Sequence, residues 1–332
     1  MEMTVFENIK QMKNVGMEEK RVWRVDNNAP VKFAEELIFE GFGMMMIMGT
    51  DHREGAGRPR EYPDSMVIWG MKIMCAFKQG YRVAVGVMRG ILNRTGIGCI
   101  SVSQFYHRAK EIFSSDTSAD MTDARILARG IGPVAPSGRK ITMAVDSTGV
   151  RPGTAGEWLA KTWNMKKQIG WIKFHAAVNV DTNEILAFVI TTENCGDNTC
   201  FMMLFEMVTA AGHDIGTIYA DTSYDAKENW SLHRIGIRFI SNLRPNATGK
   251  FDGCAPRGLQ ALRRNKIGED AWKVEIGYGR RWKVECTFSD FKRLLAETLR
   301  SREQRMMAAE LYWKVLTFDQ YKGVRKELSG RV

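Results

Sequence analysis

Apolar residues recur at helical spacing in short stretches early in the chain and alternate every second residue later on. From Met66 to Phe77 the positions Met66, Ile68, Trp69, Ile73 and Phe77 predict an amphipathic helix, with Asp64 or Ser65 as its N-cap. Gly80 interrupts, and a second helix is expected from Tyr81 to Leu92. Gly96 and Gly98 break the chain again before Ser101 or Ser103 caps a third helix ending near Ile112. Three short helices joined by glycine-bearing turns fit a helix-turn-helix-like module; a small bundle with no DNA role has the same pattern. Upstream, a mixed helical pattern covers Phe33 to Phe42, and the methionines from Met44 to Met48 read as core filler. Gly55-Ala56-Gly57-Arg58-Pro59-Arg60 reads as a basic, flexible connector.

Ser114 to Lys140 is rich in Ser, Thr, Asp, Gly and Pro, with one short helical stretch around Thr122–Arg129, and predicts a linker. Beyond it the pattern becomes mixed α/β. Ile141–Val145 is a short apolar strand. Trp171–Val180 alternates, with Ile172, Phe174, Ala176 and Val178 on one face and Lys173, His175 and Asn179 on the other. Asp181-Thr182-Asn183 turns the chain and Glu184–Thr192 returns as a hairpin partner. Asp197 or Asn198 caps a helix through Ala211, Ile215–Ala220 is a strand, and a helix through His233 leads to a strand at Ile237–Leu243. After an insert, a helix runs from about Arg280 to Arg293. This order predicts a mixed sheet flanked by helices. The expected division is 1–60, an N-terminal segment with its connector; 61–113, the helical module; 114–139, the linker; and 140–332, the α/β domain.

Composition narrows the function. The 332 residues hold 48 Lys and Arg against 38 Asp and Glu, a net charge of +10, which points to a polyanionic partner. No apolar run approaches the ~18 residues of a membrane span, and the N-terminal residues lack the apolar core of a secretion signal. Six cysteines are too sparse for a disulfide scaffold, none form C-x-x-C, and Cys195 and Cys200 have no His at zinc-ligand spacing. A reducing, cytoplasmic setting is expected.

Two strands end in aspartate followed by hydroxyl residues, Val145-Asp146-Ser147-Thr148 and Ala220-Asp221-Thr222-Ser223-Tyr224. If these strands are adjacent and parallel, the carboxylates stand side by side and repel unless a cation holds both ionised, as at a magnesium site seeking a third ligand. The simpler alternative is that each Asp caps its own turn. Tyr278, Arg281, Glu285 and Lys292 fall within roughly a 60° arc of an ideal helix. That stripe suits a surface where cations meet phosphate and the acid meets metal; an i,i+4 ion pair between Arg281 and Glu285 explains part of it equally well. His175 reads as a structural histidine, Asp225 as a first-turn helix acid, Asp197 as a helix cap, and Trp158, Trp163 and Trp171 as packing residues.

The stripe Tyr278-x2-Arg281-x3-Glu285-x6-Lys292 resembles the C-terminal motif of DDE transposases of insertion sequence families 4 and 5. The resemblance includes Ala144 to Thr148, the Trp171–Thr192 hairpin, Ala220 to Asp225, Arg244-Pro245-Asn246-Ala247 and Gly57-Arg58-Pro59, and spans about residues 55 to 320. One departure is Ser223, where relatives usually carry glycine. The resemblance implies an RNase H-like fold and a metal-binding catalytic triad of Asp146, Asp221 and Glu285. Its cofactor is Mg²⁺ or Mn²⁺, two ions about 3.5–4 Å apart that activate first water and then a DNA 3′-hydroxyl for in-line displacement. Arg281 and Lys292 are then phosphate contacts and Tyr278 positions the strand, with Lys173, Arg58 and Arg60 as further DNA-binding candidates. The basic clusters Arg263-Arg264-Lys266, Arg280-Arg281-Lys283, Lys292-Arg293 and Arg300-Arg302-Arg305 supply salt-sensitive affinity. Partners follow the same logic: double-stranded DNA at element ends and target, and a homodimer or higher synaptic assembly in a nucleoid-associated enzyme. Two other classes remain open at this point, a structure-selective nuclease or resolvase without strand transfer, and a non-catalytic DNA-binding protein derived from a transposase.

Overall fold

The computed structural model describes residues 28–39, 61–93, 97–117, 123–153, 172–251 and 253–329. Arg58, Arg60, Met44–Met48, Trp158, Trp163 and Trp171 lie outside the described residues. Helix α1 (28–39) precedes α2 (Asp64–Ala76), α3 (Tyr81–Leu92) and α4 (Val102–Thr117). The N-cap of α2 is Pro63 rather than Asp64 or Ser65; Asp64 sits in the first turn and pairs with Arg108 of α4. Ser101 does cap α4, exchanging hydrogen bonds with Gln104 through its backbone N–H and its hydroxyl.

The sheet contains β1 (Ile126–Ile131), β2 (Ile141–Pro152), β3 (Ile172–Asn179), β4 (Ile185–Thr192), β5 (Ile215–Ala220) and β6 (Arg238–Ser241) in the order β1-β4-β3-β2-β5-β6. A two-residue β7 (Thr298–Leu299) extends it along the far end of β2. Strands β1 to β4 pair antiparallel, whereas β5 and β6 add parallel to β2. Helices α5 (Phe201–Ala210), α6 (Lys227–Trp230), α7 (Ala255–Ile267), α8 (Glu269–Glu275), α9 (Trp282–Leu295) and α10 (Gln304–Ser329) complete the chain. The insert after β6 is thus the helical pair α7–α8. A mixed sheet covered by helices in this order is RNase H-like.

Three expectations need correction. Residues 126–131 form a strand, not part of a linker with a helical turn, because backbone pairing with β4 and packing under α10 outweigh a weak local preference. Gly130 is what the packing demands: a Cβ there would stand 2.5 Å from the Phe188 ring and 2.9 Å from that of Tyr312. The helical module is not set apart by that segment either. Buried residues of α2, α3 and α4 belong to one continuous core with α10 and the sheet, and Trp69 Nε1 donates to Leu37 O at 2.8 Å to tie in α1. Finally, the side of β3 carrying Lys173, His175 and Asn179 is not an open polar face. Both faces of this central strand are covered, and His175 is fully buried.

Candidate active site

The parallel register of β2 and β5 brings the two strand-end aspartates together. Ala144 lies opposite Tyr219, and two residues further the same register sets Asp146 beside Asp221, both side chains on one face. That face is covered by α9. Phe174, on the same side of β3 as Asp146 is of β2, packs against Phe288 and Phe291 at ring-centroid distances of 5.6 and 5.4 Å. Glu285, one turn before Phe288, is thereby held over the carboxyl ends of β2 and β5.

Arg281 joins the acids. Its Nη1 donates to Asp146 Oδ2 at 3.0 Å and its Nη2 to Glu285 Oε1. The i,i+4 ion pair anticipated as an alternative is therefore present, but the same guanidinium also reaches across to the sheet. Residues Tyr278–Arg281 form a 3₁₀ turn before α9, not its first α-helical turn. In a 3₁₀ turn, residues three apart eclipse, which sets the Arg281 guanidinium over the Tyr278 ring, 5.7 Å from its centroid. Burial, with the nearby charges of Asp221 and Asp146, raises the Tyr278 phenol above the ordinary range against the opposing pull of Arg281 and the Asn242 backbone just after β6.

Burial pushes Asp146 up to about 6, and the negative charges of Asp221 and Glu285 push the same way against the Ser147 N–H and Arg281. Asp221 has a different environment. Its Oδ1 accepts from both the backbone N–H (2.7 Å) and the hydroxyl (2.5 Å) of Ser223, capping the 3₁₀ turn Thr222–Tyr224. Ser223 does not adopt positive φ, so the loop takes a side chain here without strain, and that side chain adds a donor to Asp221. Asp146 from β2 and Glu285 from α9 are tied together by Arg281, and strand register sets Asp221 beside Asp146. Their carboxylate oxygens are donors of the kind hard divalent cations take, but the three do not all come within 4.8 Å of one another.

Other candidates are placed differently. Lys292, in the last turn of α9, stands 3.9 Å from Glu297. Lys173 is bound to Asp197 (2.7 Å) and donates to Cys195 O (3.0 Å), on the face of the sheet away from Asp146. Asp197 does not cap a helix: its Oδ1 also accepts from Ser147 Oγ at 2.6 Å, and the charges and hydrogen bonds of Lys173 and Ser147 outweigh burial to hold it below the usual carboxylate range. Asp225 is a buried hub rather than an exposed first-turn acid. It accepts from Arg257 Nε and Nη2, Trp230 Nε1 and Arg244 N, fixing the Arg244–Ala247 loop. Of the basic clusters, Arg264 is buried and donates to the carbonyls of Leu243, Arg244 and Ala247, while Arg263 pairs with Glu275 and Arg280 with Asp181. Sequence reasoning missed Tyr224, whose buried hydroxyl faces the charges of Asp146, Asp197 and Asp221 from below without a hydrogen-bond partner. Its place directly after the Asp221 turn was the available signal.

No helix among the described residues is long and apolar enough to cross a membrane. The model of a family described as the transposase DDE domain matches residues 137–318, more than half of the chain. That stretch contains β2 to β7, α9 and all three converging acids. The chain belongs to the DDE transposase family.

Proposed function

We propose that this protein cleaves DNA strands at the ends of an insertion sequence and transfers the freed 3′-hydroxyl to target DNA, with Asp146, Asp221 and Glu285 as its metal-binding catalytic carboxylates. The observation that supports the reading is that Arg281 joins Asp146 and Glu285, distant in sequence, while strand register sets Asp221 beside Asp146 at the carboxyl ends of β2 and β5. Divalent cations, Mg²⁺ or Mn²⁺, supply Lewis-acid activation of the attacking and leaving oxygens at such a site. The chain's own residues do the rest. The sheet fixes Asp146 and Asp221, and Ser223 orients the Asp221 carboxylate. The Arg281 fork, which holds Asp146 and Glu285, would donate to phosphate oxygens where those acids hold cations instead. Tyr278, its ring under the Arg281 guanidinium, positions the strand beside the cleaved bond, and Lys292 meets a flanking phosphate.

The spacing of Tyr278, Arg281, Glu285 and Lys292 supports assignment to insertion sequence families 4 and 5. Joining two ends to one target calls for a dimer or higher synaptic assembly. Recognition of the ends falls to the helical module. Its helix α3 supports this: Arg82, Gly86, Arg89 and Gly90 share one exposed face, and a Cβ added at either glycine meets nothing within 4 Å. The test is cleavage of a labelled element end by Asp146→Asn, Asp221→Asn and Glu285→Gln in Mg²⁺ or Mn²⁺. Each is expected to abolish cleavage with DNA binding retained; activity in any one removes that residue from the triad.

A further inference from the structure

We propose that His175, Cys195 and Cys200 form a buried transition-metal site, filled by zinc, on the face of the sheet opposite the acidic centre. Their ligand atoms lie within 4.8 Å of one another, and none of the three residues is more than 1% exposed. The two sulfurs stand 3.8 Å apart, the edge length, about 3.8 Å, of a tetrahedron whose metal–sulfur bonds are about 2.3 Å. Histidine nitrogen and cysteine sulfur are the donors a borderline-soft divalent ion prefers over magnesium.

The hydrogen-bond network fixes which nitrogen of His175 is available. Thr191 Oγ1 donates its proton to Thr192 O at 3.0 Å, so it accepts from His175 Nε2, also at 3.0 Å. Nε2 therefore carries the ring proton and Nδ1 presents a bare lone pair. No donor reaches that buried atom, and Asp197 Oδ1, 3.8 Å away, is itself an acceptor. A cation held with the two sulfurs satisfies that lone pair. The Nε2–Thr191 contact then serves as the outer hydrogen bond that orients a ligating imidazole. Asp197, whose Oδ1 already accepts from Lys173 and Ser147, lies outside the three-donor cluster as a neighbouring negative charge. Charge is conserved: one divalent ion enters, two thiol protons leave to solvent, and Asp197 is already balanced by Lys173. A disulfide between Cys195 and Cys200 would leave the Nδ1 lone pair unmet.

His175 comes from β3, twenty residues before Cys195, so no local spacing betrays the set. Ser147, the neighbour of Asp146, lies opposite His175 in the β2–β3 register. The site thus clamps the Cys195–Cys200 turn to β3, next to the strand that carries Asp146.

The experiment is metal analysis of the full chain, purified under reducing conditions without chelator. The wild type and an Asp146→Asn, Asp221→Asn, Glu285→Gln triple variant are expected to hold one zinc per chain. Cys195→Ser and Cys200→Ser are expected to lose at least roughly tenfold in zinc affinity. Should the cysteine variants fail to fold, cobalt exchanged into the wild type gives an independent reading, since only thiolate ligation produces intense near-ultraviolet charge-transfer bands. A metal-free wild type, a Cys195–Cys200 disulfide, zinc lost with the triple variant, or cobalt bands without thiolate character each overturns the proposal.

Discussion

Arg281 bridges Asp146 and Glu285, donating through Nη1 to the first at 3.0 Å and through Nη2 to the second. It supplies the positive charge between these two acids, and so competes with a cation for the same oxygens. Arg281→Ala is predicted to bind Mn²⁺ more tightly than the wild type yet cleave DNA about 100-fold more slowly, since a phosphate donor is removed from the reacting centre. Arg281→Lys keeps the charge but not the planar fork and restores only part of the rate. Calorimetric Mn²⁺ titration and single-turnover cleavage on the same variants check this; metal affinity and rate falling together contradict it.

Asp146 carries a pH signature in chelated protein. Its folded-state pKa of about 6 exceeds the ordinary carboxyl value, so the folded protein holds a proton that the unfolded chain releases at lower pH. Its contribution to stability is full below about pH 4 and is lost as pH rises through 6, an effect on the order of 3 kcal/mol. His175 works against this in the same range: burial pulls it down to about 4, so its contribution is lost as pH falls. The clean quantity is the difference between proteins. In EDTA, Asp146→Asn is predicted to be more stable than the wild type at pH 8 and equal to it near pH 4, with Mn²⁺ narrowing the gap at pH 8. Urea unfolding at the two pH values measures it, and a gap independent of pH contradicts it.

The exposed face of α3 yields a salt-dependence prediction. Arg82→Ala and Arg89→Ala are each expected to weaken end binding and to reduce the slope of log K against log salt by about 0.9 for each phosphate left unneutralised. Fluorescence anisotropy across salt concentrations reads both values. Unchanged slopes with unchanged affinity place the DNA interface elsewhere.

Much of the acidic centre was legible because its signals are local. Asp146 and Asp221 each end an apolar strand before hydroxyl residues, and Tyr278 to Lys292 keep a fixed spacing on one element. The geometry linking them was not legible. The 3₁₀ turn that stacks Arg281 on Tyr278 looks in sequence like a helical first turn, and the reach of Arg281 to Asp146 depends on a helix docked across a sheet. Strand β1 was hidden for a related reason. Glycine there reads as linker composition, but Gly130 in β1 and Gly132 just past it are small because Phe188, Tyr312 and the Ile185 carbonyl crowd them. The α10 helix escaped because its buried polar residues break the apolar stripe. Glu310 accepts from the backbone of Arg300 and Ser301, and Lys314 donates to the carbonyls of Ala296 and Thr298, so charged side chains hold the segment after α9 from inside the core. His175 shows the limit of alternation, since a strand covered on both faces buries its polar side as well.

The most direct measurement is anomalous scattering from crystals of the protein grown with Mn²⁺ and element-end DNA. The account predicts manganese peaks ligated by Asp146, Asp221 and Glu285, with Arg281 turned toward a DNA phosphate. Manganese bound elsewhere, or an Asp146–Arg281–Glu285 bridge left intact beside a cleaved DNA end, contradicts it.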